Sequence, residues 1–86
     1  MTEMTVTIQN ETGLHARPAA AFTRFCSQFE NEIILLKDTN EINAKSILQV
    51  LSAGLAKGTE LKVKVDGEAA DHVASQVVEY IQSLEE

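Results

Sequence analysis

The strict alternation of residues 60–66, ELKVKVD, constrains the fold of this chain more than any other feature. Leu61, Val63 and Val65 fall on one side of an extended chain, and charged residues occupy the other side. A strand of this kind buries one face and leaves the other in water, which is typical of an antiparallel sheet covered on a single face. The Asp-Gly pair at 66–67 then indicates a turn.

Three further segments have strand character. Residues 4–9 alternate apolar with polar side chains and are rich in β-branched residues, and residues 32–37 form an apolar run too short for a helix. Residues 41–44 follow a turn at 38–40 and are expected to pair with that run as a short strand.

Three segments show apolar residues at the three- and four-residue steps of amphipathic helices, namely 16–28, about two turns after Ser46, and 70–84. In the middle segment Ser46 and Gln49 match a capping box, and Gly54 is a natural helix stop. Too many apolar residues crowd this short helix for one face to bury them. The excess marks either a partner surface or side chains that neighbours cover.

The predicted order is therefore βαββαβα, an α+β fold. The economical arrangement is an open-faced β-sandwich, in which three helices cover one face of a four-stranded, mostly antiparallel sheet. Because 86 residues leave room for one domain only, we expect residues 1–86 to form a single domain.

Composition excludes several classes of function. A net charge of −6, with its Lys and Arg spread out, argues against nucleic-acid binding. No apolar run is long enough to insert into a membrane, and the N-terminus is unlike a signal peptide. One cysteine, Cys26, fits a reducing compartment and lies in a helical stripe, where it is expected to be a buried hydrophobe. A cytoplasmic monomer is the expectation.

Residues 13–19, GLHARPA, lead from the first strand into the first helix. Gly13 suits a bend, and Pro18 suits a first helical turn. His15 then lies at the helix start, where free N–H groups and half a positive charge favour an anion. Arg17 adds donors that match phosphate oxygens. A histidine here is more often a surface or capping residue, but the Gly, Arg and Pro at fixed offsets favour a phosphoryl carrier.

This motif resembles the active-site motif of HPr, the family of histidine-containing phosphocarriers of the bacterial sugar phosphotransferase system. Two further blocks, NAKSI at 43–47 and KGTE at 57–60, are similar to the regulatory-serine region of that family and to its turn into the last strand. The blocks occur in family order and spacing, and the family fold is the βαββαβα sandwich expected above.

The resemblance implies a carrier rather than an enzyme, with no cofactor. His15 would accept a phosphoryl group on Nδ1 from phosphorylated enzyme I, which phosphoenolpyruvate charges, and pass it to an enzyme IIA. Arg17 would pair with the phosphoryl oxygens, assisted by the backbone N–H groups of Ala16 and Arg17. The family's partner surface corresponds here to Ala16, Ala20, Arg24, Ile47, Leu48, Gln49 and Leu51. Arg17 and Arg24, two turns apart, are expected to flank the His15 end of the helix.

Ser46 has two roles to consider. Structurally it is a helix cap. In some family members a kinase phosphorylates the matching serine, and a phosphatase would reverse this. Phosphate at a helix N-terminus is electrostatically acceptable, yet it would place negative charge near the arriving donor. The chain departs from the members best known for this control, because it has Gln49 where they have Gly and leucines at 48 and 51 where they have Met.

Other interpretations stay open. The chain is alternatively an HPr-like domain of a fructose-specific protein, a nitrogen-branch paralogue, or a regulatory docking module switched at Ser46. The presence of both His15 and Arg17 counts against a pure docking module. His72 lacks a neighbouring arginine and is expected to be an ordinary surface residue. No ligand cluster accompanies the two histidines, so no metal site is expected.

Overall fold

The computed structural model of the chain describes residues 1–84, in the order of elements that the sequence predicts. They are β1 (Thr2–Thr7), α1 (Ala16–Ser27), β2 (Ile33–Lys37), β3 (Asn40–Asn43), α2 (Ile47–Ser52), β4 (Glu60–Val65) and α3 (Ala70–Gln82). The predicted βαββαβα fold is confirmed. Residues 85–86 of the predicted domain lie outside the described residues.

The sheet has the strand order β1-β4-β2-β3, and every pairing is antiparallel. The strand with the clearest alternation, β4, lies between β1 and β2, where both of its edges are paired. Its inward residues Leu61, Val63 and Val65 are fully buried, and Lys62 is exposed on the other face. The alternation therefore predicted which face of β4 is buried, whereas its position between β1 and β2 follows from the structure alone.

All three helices pack on that buried face and share one hydrophobic core with the strands. Phe22 from α1, Val50 from α2 and Val77 from α3 are each completely buried in this core. On the open face, Lys64 Nζ lies 3.9 Å from the Glu41 carboxylate, across the intervening strand β2. Its aliphatic stem, largely shielded from water, covers part of the sheet there.

The edges of several elements differ from the predictions by one or two residues. The first strand spans Thr2–Thr7 instead of 4–9, because Ile8 leaves the ladder and pairs with a loop. The capping box at α2 is half formed. Ser46 Oγ accepts the Gln49 N–H at 3.3 Å, as predicted, but Gln49 Oε1 accepts the N–H of Asn43 at 2.8 Å. The Ser46 N–H is already bonded to the Asn43 carbonyl, which frees Gln49 for this contact.

None of the helices within residues 1–84 is both long and apolar enough to cross a bilayer.

Candidate functional site

His15 is the N-cap residue of α1, with an extended backbone at φ −93° and ψ −166°. Its carbonyl accepts the Ala19 N–H at 2.7 Å, which is the first hydrogen bond of the helix. Its side chain makes no capping hydrogen bond within residues 1–84 and is exposed. The backbone of His15 is therefore fixed while its imidazole faces solvent.

Two backbone donors remain at this helix start. The first turn comprises Ala16, Arg17, Pro18 and Ala19, so it contains an arginine and no acidic side chain. Pro18 has no N–H and Ala19 donates to His15, which leaves the N–H groups of Ala16 and Arg17 without an intrahelical acceptor. These two donors and the guanidinium make the surroundings of His15 suitable for an anion.

An open groove of about 610 Å³ runs from His15 to the end of α3. Arg17 and Pro18 line its α1 side, while Tyr80 and Leu84 line the other side. The Tyr80 ring is held by stacking on Phe25, with ring centroids 4.6 Å apart. Sequence analysis missed this groove. The spacing of apolar residues marked α3 as packed against the core but carried no signal of which part of α1 it would meet.

The predicted partner surface is largely exposed, and its apolar part lies on α2. Leu48 is 75% exposed, and Ile47 and Leu51 are each 39% exposed, whereas Val50 is buried. The structure therefore rules out one of the two interpretations of the apolar excess on α2, namely that neighbouring side chains within residues 1–84 cover it. Gln49 is also exposed.

The α1 part of that surface stretches along the helix, which contacts α2. Ala16 is exposed and Ala20 is half-buried. Arg24 is exposed in the last turn of α1, about 13 Å along the axis from His15 at the helical rise per residue. The expectation that Arg17 and Arg24 both flank the His15 end is thus wrong. Two residues seven apart on one helix face are still separated by about 10 Å along the helix axis.

Ser46 lies half-buried at the start of α2, and its hydroxyl caps the helix as described above. The adjacent Lys45 reaches the other way and donates to the Phe29 carbonyl at 2.6 Å, beyond the end of α1. The Ser46 hydroxyl therefore already accepts a hydrogen bond within α2, from the Gln49 N–H.

The remaining candidates show no chemistry of their own. Burial raises the pKa of the Cys26 thiol to about 12, although Lys45 lowers it slightly, so the thiol stays neutral and unreactive at physiological pH. His72 is exposed in the first turn of α3 and lines a groove with Glu68, away from His15. Residues 1–84 contain no cluster of three His, Cys, Asp or Glu side chains that could hold a metal ion.

Comparison with known proteins identifies close relatives. The family model described as "PTS HPr component phosphorylation site" matches residues 2–83. The phosphocarrier protein HPr of Treponema pallidum is 41% identical over 75 residues, which are 87% of this chain and 83% of the relative. The HPr-like protein Crh of Bacillus subtilis is 34% identical over 82 residues, 95% of this chain and 96% of the relative. The crystal structure of HPr-C-His from Thermoanaerobacter tengcongensis superimposes with a TM-score of 0.90 at 40% identity, covering 96% of this chain and 93% of that one.

Proposed function

Because the chain belongs to the HPr family, the phosphocarriers of the phosphotransferase system, we propose that His15 carries the phosphoryl group. In this proposal Nδ1 of His15 accepts the group from phosphorylated enzyme I, which phosphoenolpyruvate charges. The group then passes to an enzyme IIA component for sugar uptake. The protein is a carrier and a substrate of phosphotransferases, as its family is, and not an enzyme.

The observation that carries the proposal is the exposed imidazole of His15 beside the uncapped start of α1. A nucleophile that must meet two different partner proteins has to be reachable from solvent, and His15 is. Its neighbours on the chain supply two N–H donors and the Arg17 guanidinium without any carboxylate in the first turn.

These groups suit an in-line phosphoryl transfer. As Nδ1 of His15 bonds to phosphorus, the bond between phosphorus and the donor breaks, and charge spreads over the three equatorial oxygens. Positioning and electrostatic stabilisation supply most of the rate in such transfers. Arg17 and the N–H groups of Ala16 and Arg17 stabilise that charge. Since the site is open to water and holds a single arginine, the phosphohistidine is not bound so tightly that onward transfer is blocked.

The apolar surface on α2 supports docking as the way in which partners reach His15. Ile47, Leu48 and Leu51 form an uncovered patch on a helix that contacts α1. Together with Ala16, Ala20, Arg24 and Gln49, this patch is the proposed contact for enzyme I and for enzyme IIA. Exposed apolar clusters on small proteins commonly mark such partner sites.

A second candidate function is regulation by docking, switched at Ser46 by a kinase and a phosphatase. It is favoured by the similarity to the HPr-like protein Crh, which covers nearly the whole chain. It can coexist with phosphoryl transfer, because a phosphate on Ser46 would add charge at the start of α2 without requiring the fold to change. The fructose-specific and nitrogen-branch alternatives would share the His15 chemistry and differ in the acceptor.

The organisation proposed with this function is a single phosphocarrier domain, residues 1–86, acting as a cytoplasmic monomer. One core shared by all helices and strands of residues 1–84 supports the single domain. Sedimentation of the protein with and without phosphoryl donor would test the monomeric state.

The test of the proposal is phosphorylation by phosphoenolpyruvate and a general enzyme I, measured by intact-protein mass and ³¹P NMR before and after mild acid. We expect one acid-labile phosphoryl group on the wild-type chain and none on His15→Ala. His72→Ala is the matched control, because His72 is the other exposed histidine, and it should be labelled normally. If the folded wild-type chain stays unlabelled, the carrier function is wrong.

A further inference from the structure

The loop that leads to His15 lies against residues 55–59, the last five residues of the connection between α2 and β4. We call this segment the brace. At the start of the loop, the Ile8 N–H donates to the Thr59 carbonyl at 2.9 Å, and the Gly58 N–H donates to the Ile8 carbonyl at 2.8 Å. These two backbone hydrogen bonds tie the chain to the brace directly after β1 ends.

The far end of the loop is fixed to the brace as well, one residue before His15. The Leu14 N–H donates to the Leu55 carbonyl at 2.9 Å, and both side chains are buried in the core. The approach is close at Gly13, which has φ +65°. A Cβ on Gly13 would collide with the Leu55 carbonyl oxygen and lie 2.8 Å from the Cα of Ala56. Only glycine allows this approach.

Between its two ends the loop is stiffened from within. The Gly13 N–H donates to the Asn10 carbonyl at 3.2 Å, and Asn10 Nδ2 donates to the Gly13 carbonyl at 3.0 Å. Lys57 of the brace also pairs with Glu11 at 2.9 Å, but both side chains are largely exposed, so this ion pair contributes little. The rigidity of the loop therefore depends on its backbone contacts and not on its surface charges.

From these contacts we propose that the brace is a positioning element for phosphoryl transfer. The Leu55 carbonyl fixes Leu14, and Leu14 fixes the backbone of His15 from the N-terminal side, while α1 fixes it from the other side. Only Ala53 and Gly54 separate the brace from the end of α2 in the chain. The brace thereby sets the separation between the apolar patch on which a partner docks and the imidazole that the partner must reach. This inference rests on the proposed function of His15.

The chain offers a matched pair of substitutions, Gly13→Ala and Gly54→Ala. The two glycines have nearly the same φ, +65° and +64°, so the added backbone strain is alike. A Cβ on Gly54 meets no heavy atom within 4 Å, whereas a Cβ on Gly13 displaces the Leu55 carbonyl. Only the first substitution breaks contact with the brace.

The measurement is single-turnover transfer from phosphorylated enzyme I, with the maximal rate and the half-saturating concentration determined separately. We expect Gly13→Ala to lower the maximal rate by about 10- to 100-fold, because displacements near 1 Å have such effects on transfer. The half-saturating concentration should not change, since the α2 surface is intact. Gly54→Ala should keep the maximal rate within about threefold of the unmodified chain.

Equal maximal rates for the two variants, whether both normal or both reduced, would overturn the inference, because strain alone would then explain any loss. If Gly13→Ala does not fold, a synthetic chain with an ester in place of the amide between Gly13 and Leu14 settles the matter, because it removes the Leu14 N–H and changes no side chain. A normal maximal rate in this ester variant would also overturn the inference. Absence of transfer to the unmodified chain would instead refute the proposed function itself.

Discussion

Two helices, α1 and α3, begin close to a histidine, and the two beginnings differ in backbone geometry and in charge. At α1 the N-cap His15 is extended and is followed by Ala, Arg and Pro. At α3 the N-cap Ala69 is left-handed with φ +55°, and Asp71 precedes His72 in the first turn. Neither N-cap residue makes a side-chain capping bond within residues 1–84.

The turn that precedes α3 is held by a neighbouring side chain. Asn31 Nδ2 donates to the carbonyls of Asp66 at 2.8 Å and Glu68 at 2.7 Å, which knits the preceding turn together. With two carboxylates nearby, an anion gains little from that helix dipole. We therefore expect a histidine near a helix start to suit phosphoryl transfer only when the first turn also lacks acidic side chains and carries a cation.

The largest effect we expect beyond loss of His15 comes from reversing the charge at the start of α1. Arg17→Glu removes the guanidinium and adds a carboxylate, which makes this helix start resemble that of α3. Transfer from enzyme I should slow by about 100-fold or more, the usual effect of losing one preorganised donor. Lys62→Glu is the control, because it makes the same charge change on the open face of the sheet, outside the proposed partner surface. Similar losses in both variants would mean that net charge, and not the local site, governs the rate.

The docking surface beside α1 should show a smaller effect of a different kind. Leu48→Asp places a charge on the most exposed residue of the apolar patch on α2. We expect the half-saturating concentration for enzyme I to rise about tenfold with little change in maximal rate. Thr5→Asp introduces the same charge on the exposed open face of the sheet and should have no such effect. A normal half-saturating concentration for Leu48→Asp would remove α2 from the contact.

A third helix start, that of α2, allows charge to be added while the cap is kept. Asp caps helices about as well as Ser, so Ser46→Asp should retain stability yet slow transfer severalfold by repelling the anionic donor. Ser46→Ala should lower the free energy of unfolding by about 1 kcal/mol and leave transfer normal. Thermal unfolding and transfer rates measured on both variants separate the two roles of Ser46. Normal transfer to Ser46→Asp would argue against regulation there.

The smallest effect is expected at α3. Removing the carboxylates with Glu68→Gln and Asp71→Asn makes its charge similar to that of α1 but provides no arginine and no extended N-cap. Peptide mapping after phosphorylation should still find no phosphoryl group on His72. A labelled His72 in this double variant would show that acidic residues alone distinguish the two helix starts.

How far the sequence predicts this molecule depends on whether a feature is local. Alternation in β4 and helical spacing predict the order of elements, and the residues around His15 predict an anion site, because each feature lies within one short segment. The brace and the groove each bring together segments that are distant in the chain. The Leu14 N–H donates to the Leu55 carbonyl at the brace, and Arg17 and Tyr80 line the same groove. No local pattern encodes which of these residues meet.

The most direct test of the central claim observes both histidines at once. Long-range ¹H–¹⁵N spectra of the protein labelled with ¹⁵N-histidine would be recorded before and after phosphorylation by phosphoenolpyruvate and enzyme I. We expect the Nδ1 resonance of His15 to move while both ring nitrogens of His72 keep their positions. Movement at His72, or a phosphorylated protein in which neither imidazole changes, would contradict the assignment of the carrier site to the start of α1.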